Sequence, residues 1–176
     1  RLECPRMHPL AGLGAAYLIG DFSLEAMETG FRVVPQRKLA VGDWTLQGRP
    51  FYPGGVTYAV SFSLQSRASA LRVAVPAWAG SLLLLSLDGQ PAGRLLHHSH
   101  QAVIPQSLSP GPHRLELKVI GNLPNLLGPH HTEGRTYPAP VIAAWHDGVE
   151  SPRPGSAYAF PPLGLLEPVV DLRVAD

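Results

Sequence analysis

The chain has 176 residues, 45% of them hydrophobic, with 18 glycines, 19 prolines and a formal net charge of +1. That length allows one domain of about 150 residues, able to bury roughly 70% of the surface its unfolded chain would expose. Basic residues are scattered, which excludes an electrostatic footprint for nucleic acid. No run reaches the ~18 apolar residues of a membrane span.

Glycine and proline at this density, together with ample apolar content, point to a loop-rich all-β fold rather than to disorder. A lone cysteine, Cys4, excludes an internal disulfide. Residue 1 is Arg, no signal peptide opens the chain, and patterned sequence begins almost at once in "AAYLIGDFSL". The expectation is a single β-sandwich module, residues 1–176 with a core over about 15–175, cut from a longer multidomain protein.

Taken in chain order, the first predicted strands are Tyr17 to Leu24 and Phe31 to Val34, followed by a long irregular stretch over 42–55. In "VTYAVSFSL", Val56, Tyr58, Val60, Phe62 and Leu64 alternate with small or polar residues, the period of a strand with one buried face. Leu71, Val73 and Val75 repeat the pattern until Pro76, which has no amide to donate to a ladder. "SLLLLSLDGQPAGRLL" reads as strand, Asp88-Gly89 turn and strand, since glycine supplies the positive φ of a tight hairpin. Leu115, Leu117 and Val119 then alternate with charged residues in the clearest strand of the sequence. A second irregular stretch spans 121–140, and Val141 to Trp145 and Val169 to Val174 complete the set. Short strands without helical alternation predict an antiparallel two-sheet β-sandwich, a jelly roll by preference. Loops of the length of 42–55 and 121–140 commonly carry function.

Three segments, Tyr58 to Phe62, Leu87-Asp88-Gly89 to Gly93, and Leu108 to Val119, together resemble the galactose-binding-domain-like jelly-roll modules of glycoside hydrolases. The sugar-binding-like domain of family 2 enzymes is one such module. "GDWTLQGRPFYPGGVTY" and "NLLGPHH" are similar to segments of C-terminal modules in large bacterial glycosidase-like proteins, and the resemblance covers roughly residues 15–132. His113 stands where many relatives have Asn. The resemblance implies an accessory module whose partners are carbohydrate and a neighbouring catalytic domain of the same polypeptide, in a secreted or periplasmic setting. It also implies that a structural calcium could be held by loop oxygens, with Asp43 and Asp88 as contributors; no other cofactor is expected.

Glycosidase chemistry needs two facing carboxylates about 5–10 Å apart, and no spacing in this chain selects such a pair. The histidines are more suggestive. His98 and His100, two apart on a strand, would share a face, but no carboxylate or cysteine lies at a recognised metal-ligand interval. An enzyme alternative would use His130 or His131 as acid and base.

Carbohydrate binding asks for less: an aromatic face against a pyranose and side chains that exchange hydrogen bonds with its hydroxyls. The candidates are Trp44, Arg49 and Tyr52, with Phe51, in one loop, and Asn125, His130, His131 and Tyr137 in the other. The structural alternative is that the aromatics pack under their own loop while Asn125 caps main-chain groups. Trp78 and Trp145 are assigned to core or inter-module packing, and a docking face near them is the third functional alternative.

Overall fold

The computed structural model describes residues 17–28, 30–96, 99–128, 130, 158–169 and 171–175. It is an all-β, antiparallel sandwich. Strands β1 (Phe22–Ala26) and β2 (Phe31–Pro35) form a hairpin. The four-stranded sheet is built from β3 (Gly55–Leu64), β6 (Leu82–Leu87), β7 (Gln90–Leu95) and β9 (Gly111–Ile120), in the order β3-β9-β6-β7. A three-stranded sheet, β11-β4-β8, uses β4 (Ala70–Ala74), β8 (Gln101–Ile104) and β11 (Asp171–Ala175). Two short strands, β5 (Trp78–Ala79) and β10 (Gly164–Leu165), pair with each other. The helical turn α1 (Pro124–Leu127) follows β9.

The period-two pattern does what it dictates. Leu83, Leu85 and Leu87 of β6 and Leu115, Leu117 and Val119 of β9 are fully buried, in one core with Leu71 and Val73 of β4, Val75 just after β4, and Ile104 of β8. In β3 only Tyr58 is buried outright, while Val56, Val60, Phe62 and Leu64 pack partly against the same core. Each such leucine contributes about 2–5 kcal/mol, the usual cost of truncating it to alanine.

Pro91 and Pro112, unlike the terminal Pro35 of β2, lie one residue inside their strands, where a missing amide costs least. Pro91 lies on β7, an edge strand. Pro112 lies at the start of β9, before β6 begins to pair with it at Leu115. Asp88 and Gly89 close the β6–β7 hairpin with φ of 51° and 78°, the two positive values of a type I′ turn.

The first strand starts later than its apolar pattern predicts. Tyr17, Leu18 and Ile19 lie exposed ahead of it, because β2 offers only five partners, from Phe31 to Pro35. Strands β5, β8 and β10 carry no sequence signal of their own. The predicted strand Val141 to Trp145 lies outside the described residues.

Closure of the sandwich depends on the loop after β2 meeting the chain at 163–165. The Gly42 amide donates to the Leu165 carbonyl (2.7 Å) and the Trp44 amide to the Leu163 carbonyl (2.8 Å). One Asp43 carboxylate oxygen accepts from the Thr45 amide (2.8 Å) and the Leu163 amide (3.1 Å). Gly164 sits at φ +136°, and a Cβ there would lie 2.5 Å from the Gly42 carbonyl oxygen. Gly164→Ala is therefore expected to destabilise the fold by more than the ~1–2 kcal/mol of a left-handed backbone alone. Gly89→Ala, with φ +78° but nothing within 4 Å, carries only that backbone cost. Chemical denaturation of both variants checks the ranking.

A second pinning point lies at the hairpin end. His113 donates from Nδ1 to Asp88 (2.7 Å) and from Nε2 to the Ser109 carbonyl (2.8 Å), so both ring nitrogens face acceptors. The Ser109 carbonyl and then Asp88 raise the His113 pKa above its ordinary 6.5. The Arg114 amide and then His113 lower that of Asp88 below its ordinary 3.8. The histidine contribution is thus complete below pH 6.5 and lost as pH rises through its raised value. The aspartate contribution is complete above pH 3.8 and lost as pH falls through its lowered value. Melting temperature is expected to fall between pH 6 and pH 9 in the native chain, and to fall less in His113→Gln; a native profile no steeper than the variant's would refute the coupling.

Candidate functional site

The end of the sandwich beyond Ile120 is built from close backbone approaches. Gly121 donates to the Gly54 carbonyl (2.7 Å), and a Cβ on it would come within 2.7 Å of the Pro53 carbonyl oxygen. The Asn122 side-chain oxygen then accepts the Asn125 amide (3.2 Å), and Pro124 starts α1, where its fixed φ suits the first turn. Gly128, at φ 79°, ends it with its amide on the Pro124 carbonyl (2.9 Å).

This small turn holds the returning chain. Asn125 is fully buried, and its Nδ2 donates to the Pro161 carbonyl (3.0 Å). The Ala159 amide donates to the His130 carbonyl (2.7 Å). His130 Nε2 donates to the Asn125 carbonyl (3.0 Å), which fixes that nitrogen as the protonated one when the ring is neutral.

Around His130 five rings gather from four parts of the chain: Phe31 of β2, Phe51 of the 42–55 loop, His130, and Tyr158 and Phe160 of the returning segment. Phe51 meets Phe31 at 5.3 Å, His130 at 5.2 Å and Phe160 at 5.0 Å, all edge to face. Tyr158 and Phe160 lie stacked at 5.7 Å, with planes 9° apart. Edge-to-face and offset contacts of this kind add about 0.5–1.5 kcal/mol each beyond burial. The group is not core: its members are partly exposed, Tyr158 by 37%.

On the other side of Phe51, the turn Arg49-Pro50-Phe51-Tyr52 is closed by the Tyr52 amide on the Arg49 carbonyl (3.3 Å), with proline at its second position. The Arg49 guanidinium lies 5.7 Å from the Tyr52 ring centre. The Trp44 ring meets Tyr52 edge-on at 6.2 Å. The Tyr52 hydroxyl donates to the Gly55 carbonyl (3.2 Å).

The structure thus brings the two irregular stretches together, but the predicted residues divide. Trp44 is fully buried and gives no face to solvent; the 42–50 turn folds over it, with the Gln47 and Arg49 amides both on its carbonyl (3.1 Å each). Its expected part as a sugar platform is corrected to that of a core residue. Asn125 likewise acts inward. Arg49, Tyr52 and His130 are accessible in part. His131 and Tyr137 lie outside the described residues, as do Trp145 and His98.

Trp78 is buried, with Nε1 donating to the Ser99 carbonyl (2.9 Å). Among the described residues no group of three His, Cys, Asp or Glu is arranged to hold a metal. Asp43 and Asp88 are each engaged with their own hydrogen-bond donors, in separate parts of the fold. Phe31, Tyr158 and Phe160 complete the ring group without having been singled out from sequence. "AYAFPP" does carry a signal, two aromatics at alternate positions just before a Pro-Pro.

No protein-family model matches the chain, and no curated protein matches it. Among solved structures, a rhamnosidase from Novosphingobium sp. PP1Y aligns over 91% of this chain at 21% identity, with a TM-score of 0.50. This is a fold that a glycoside hydrolase carries. A GH2 β-galacturonidase from Eisenbergiella tayi, seen with glycerol and with galacturonate, aligns over 57% and 55% of the chain at 19% identity, with TM-scores of 0.37 and 0.35. The aligned region spans 15% of the rhamnosidase chain and 17% of the galacturonidase chain.

Asn125 is the residue that ties α1 to the returning chain. Asn125→Ala is expected to cost about 1–3 kcal/mol, the range for leaving a buried partner unsatisfied. It should also speed amide exchange at Ala159, whose acceptor belongs to His130. Hydrogen exchange unchanged at that amide would show that the returning segment is held otherwise.

Proposed function

We infer that this chain is a non-catalytic accessory module of a glycoside-hydrolase-like protein, a galactose-binding-domain-like jelly roll that binds carbohydrate. The observation that carries this reading is the partly exposed ring group of Phe31, Phe51, His130, Tyr158 and Phe160 at the loop end of the sandwich. A pyranose has an apolar face of C–H groups and a rim of hydroxyls, which suits rings flanked by polar groups such as Arg49 and His130. The rhamnosidase likeness supports the reading by analogy of fold, with such a sandwich occupying a minor part of a long enzyme chain. On this reading the catalytic carboxylates belong to a neighbouring domain of the same polypeptide. His130 positions the loop through Asn125 rather than acting as acid or base.

A second reading, a docking face for that neighbouring domain, draws on Leu46, Leu123 and Leu127, which are exposed by 85%, 60% and 61%. A calorimetric glycan screen separates the two. Binding that Tyr158→Ala weakens by roughly 3- to 10-fold, the equivalent of one ring contact, measured well below the melting temperature of the variant, is the expected result. Trp44→Ala is unsuited as the probe, because removing a buried tryptophan costs about 3–5 kcal/mol of stability. A folded chain that binds no glycan would leave the docking reading.

A further inference from the structure

Of the lysines and arginines whose side chains are described, Arg49 is the one that is half-buried; the others lie exposed. Among the described residues no carboxylate and no hydrogen bond meets the Arg49 guanidinium, whereas Arg32 and Arg37 face Glu25 and Arg114 faces Glu116. Its Nε is shut off from solvent with no acceptor, while its terminal nitrogens are not shut off.

Partial burial of an unpaired cation is costly, and the Tyr52 ring beneath it compensates only in part. The ring beneath the guanidinium and the backbone that carries it are both held. Tyr52 is fixed from one side by its hydroxyl on Gly55 and from another by the Trp44 edge, and Arg49 itself starts a proline turn. A planar fork whose terminal nitrogens stay open to solvent can meet a planar anion with two parallel hydrogen bonds. Tyr52, 36% exposed, supplies adjoining aromatic surface.

We propose that Arg49 and Tyr52 form the recognition point for a carboxylate-bearing sugar, a uronate residue of an acidic saccharide. The proposal rests on the carbohydrate-binding reading above and names its sugar class. The uronate carboxylate pairs with the guanidinium fork, and the pyranose carbons next to it lie against the exposed part of Tyr52. The pairing strengthens the charged form of the ligand and weakens as salt screens it.

The test is titration calorimetry of the 176-residue chain with glucuronate- and galacturonate-terminated disaccharides, beside their neutral counterparts bearing hydroxymethyl in place of carboxylate. At least one acidic sugar is expected to bind about 10-fold or more tightly than its neutral counterpart, the scale of a hydrogen bond to a charged group. Arg49→Gln should reduce that preference to within about 2-fold, lowering affinity for the acidic sugar far more than for its neutral counterpart. Arg49→Lys, which keeps charge but loses the fork, should retain only part of it, and serves if Arg49→Gln fails to fold. Equal affinity for acidic and neutral sugars, or a preference that survives both variants, overturns the proposal and leaves carbohydrate binding standing. Failure of every sugar to bind folded protein overturns both.

Discussion

The loop end of this molecule depends on one close backbone approach, between Gly42 to Trp44 and Leu163 to Leu165. Two main-chain hydrogen bonds and the shared Asp43 carboxylate oxygen join segments some 120 residues apart in sequence. Gly164 makes the approach feasible, because a side chain there would overlap the Gly42 carbonyl. The same contact seals Trp44 beneath its turn and sets Leu163 and Leu165 into the core. It also fixes where the chain stands just after Tyr158 and Phe160. The ring group is therefore a consequence of closure: Phe51 arrives from one joined segment and Phe160 from the other.

Such a contact is expensive to form and cheap to keep. Its loop-closure entropy has to be offset by non-local pairing, which is the general condition of antiparallel sandwiches. Local devices lower the rest of the cost. The Asp88-Gly89 turn, the Arg49-Pro50 turn and the Asn122–Asn125 turn leading into α1 each settle a change of direction within a few residues. The long-range contact then only has to bring together pieces already shaped.

The parts of the fold legible in sequence are those in which neighbours in the chain share a face. Alternation marked β3, β4 and β9, an apolar run marked β6, and Asp-Gly marked the hairpin, because pattern and turn chemistry are local. Strands β5 and β10 were not legible, since two residues cannot display a period, and the polar Gln101 start of β8 gave no run. Partnership was the deeper obstacle. Trp44 reads as an available aromatic until Leu163 is known to cover its turn, and Phe31 and Tyr158 have no visible relation until the sandwich closes. Of the residues expected to contact sugar, Arg49, Tyr52 and His130 keep access to solvent, while Trp44 and Asn125 turned inward for reasons that lie more than 30 residues away.

The two ends of the sheet spend polar groups differently, and the difference bears on what the loop end is for. At the hairpin end, Asp88 accepts from both His113 and the Arg114 amide, and His113 has an acceptor at each nitrogen. Asp88 and His113 are both fully engaged, as stability alone would favour. At the loop end, Trp44 Nε1, Arg49 Nε and Asn125 Oδ1 are all sealed from solvent without a partner among the described residues. Groups so placed cost about 1–3 kcal/mol each, and apolar residues of similar shape would remove that cost. A wall built only to close a sandwich gains nothing from an arginine that has no counter-ion. An arginine left unpaired over a fixed ring, beside rings left half-exposed, is instead what a surface needs if its missing partner arrives from outside.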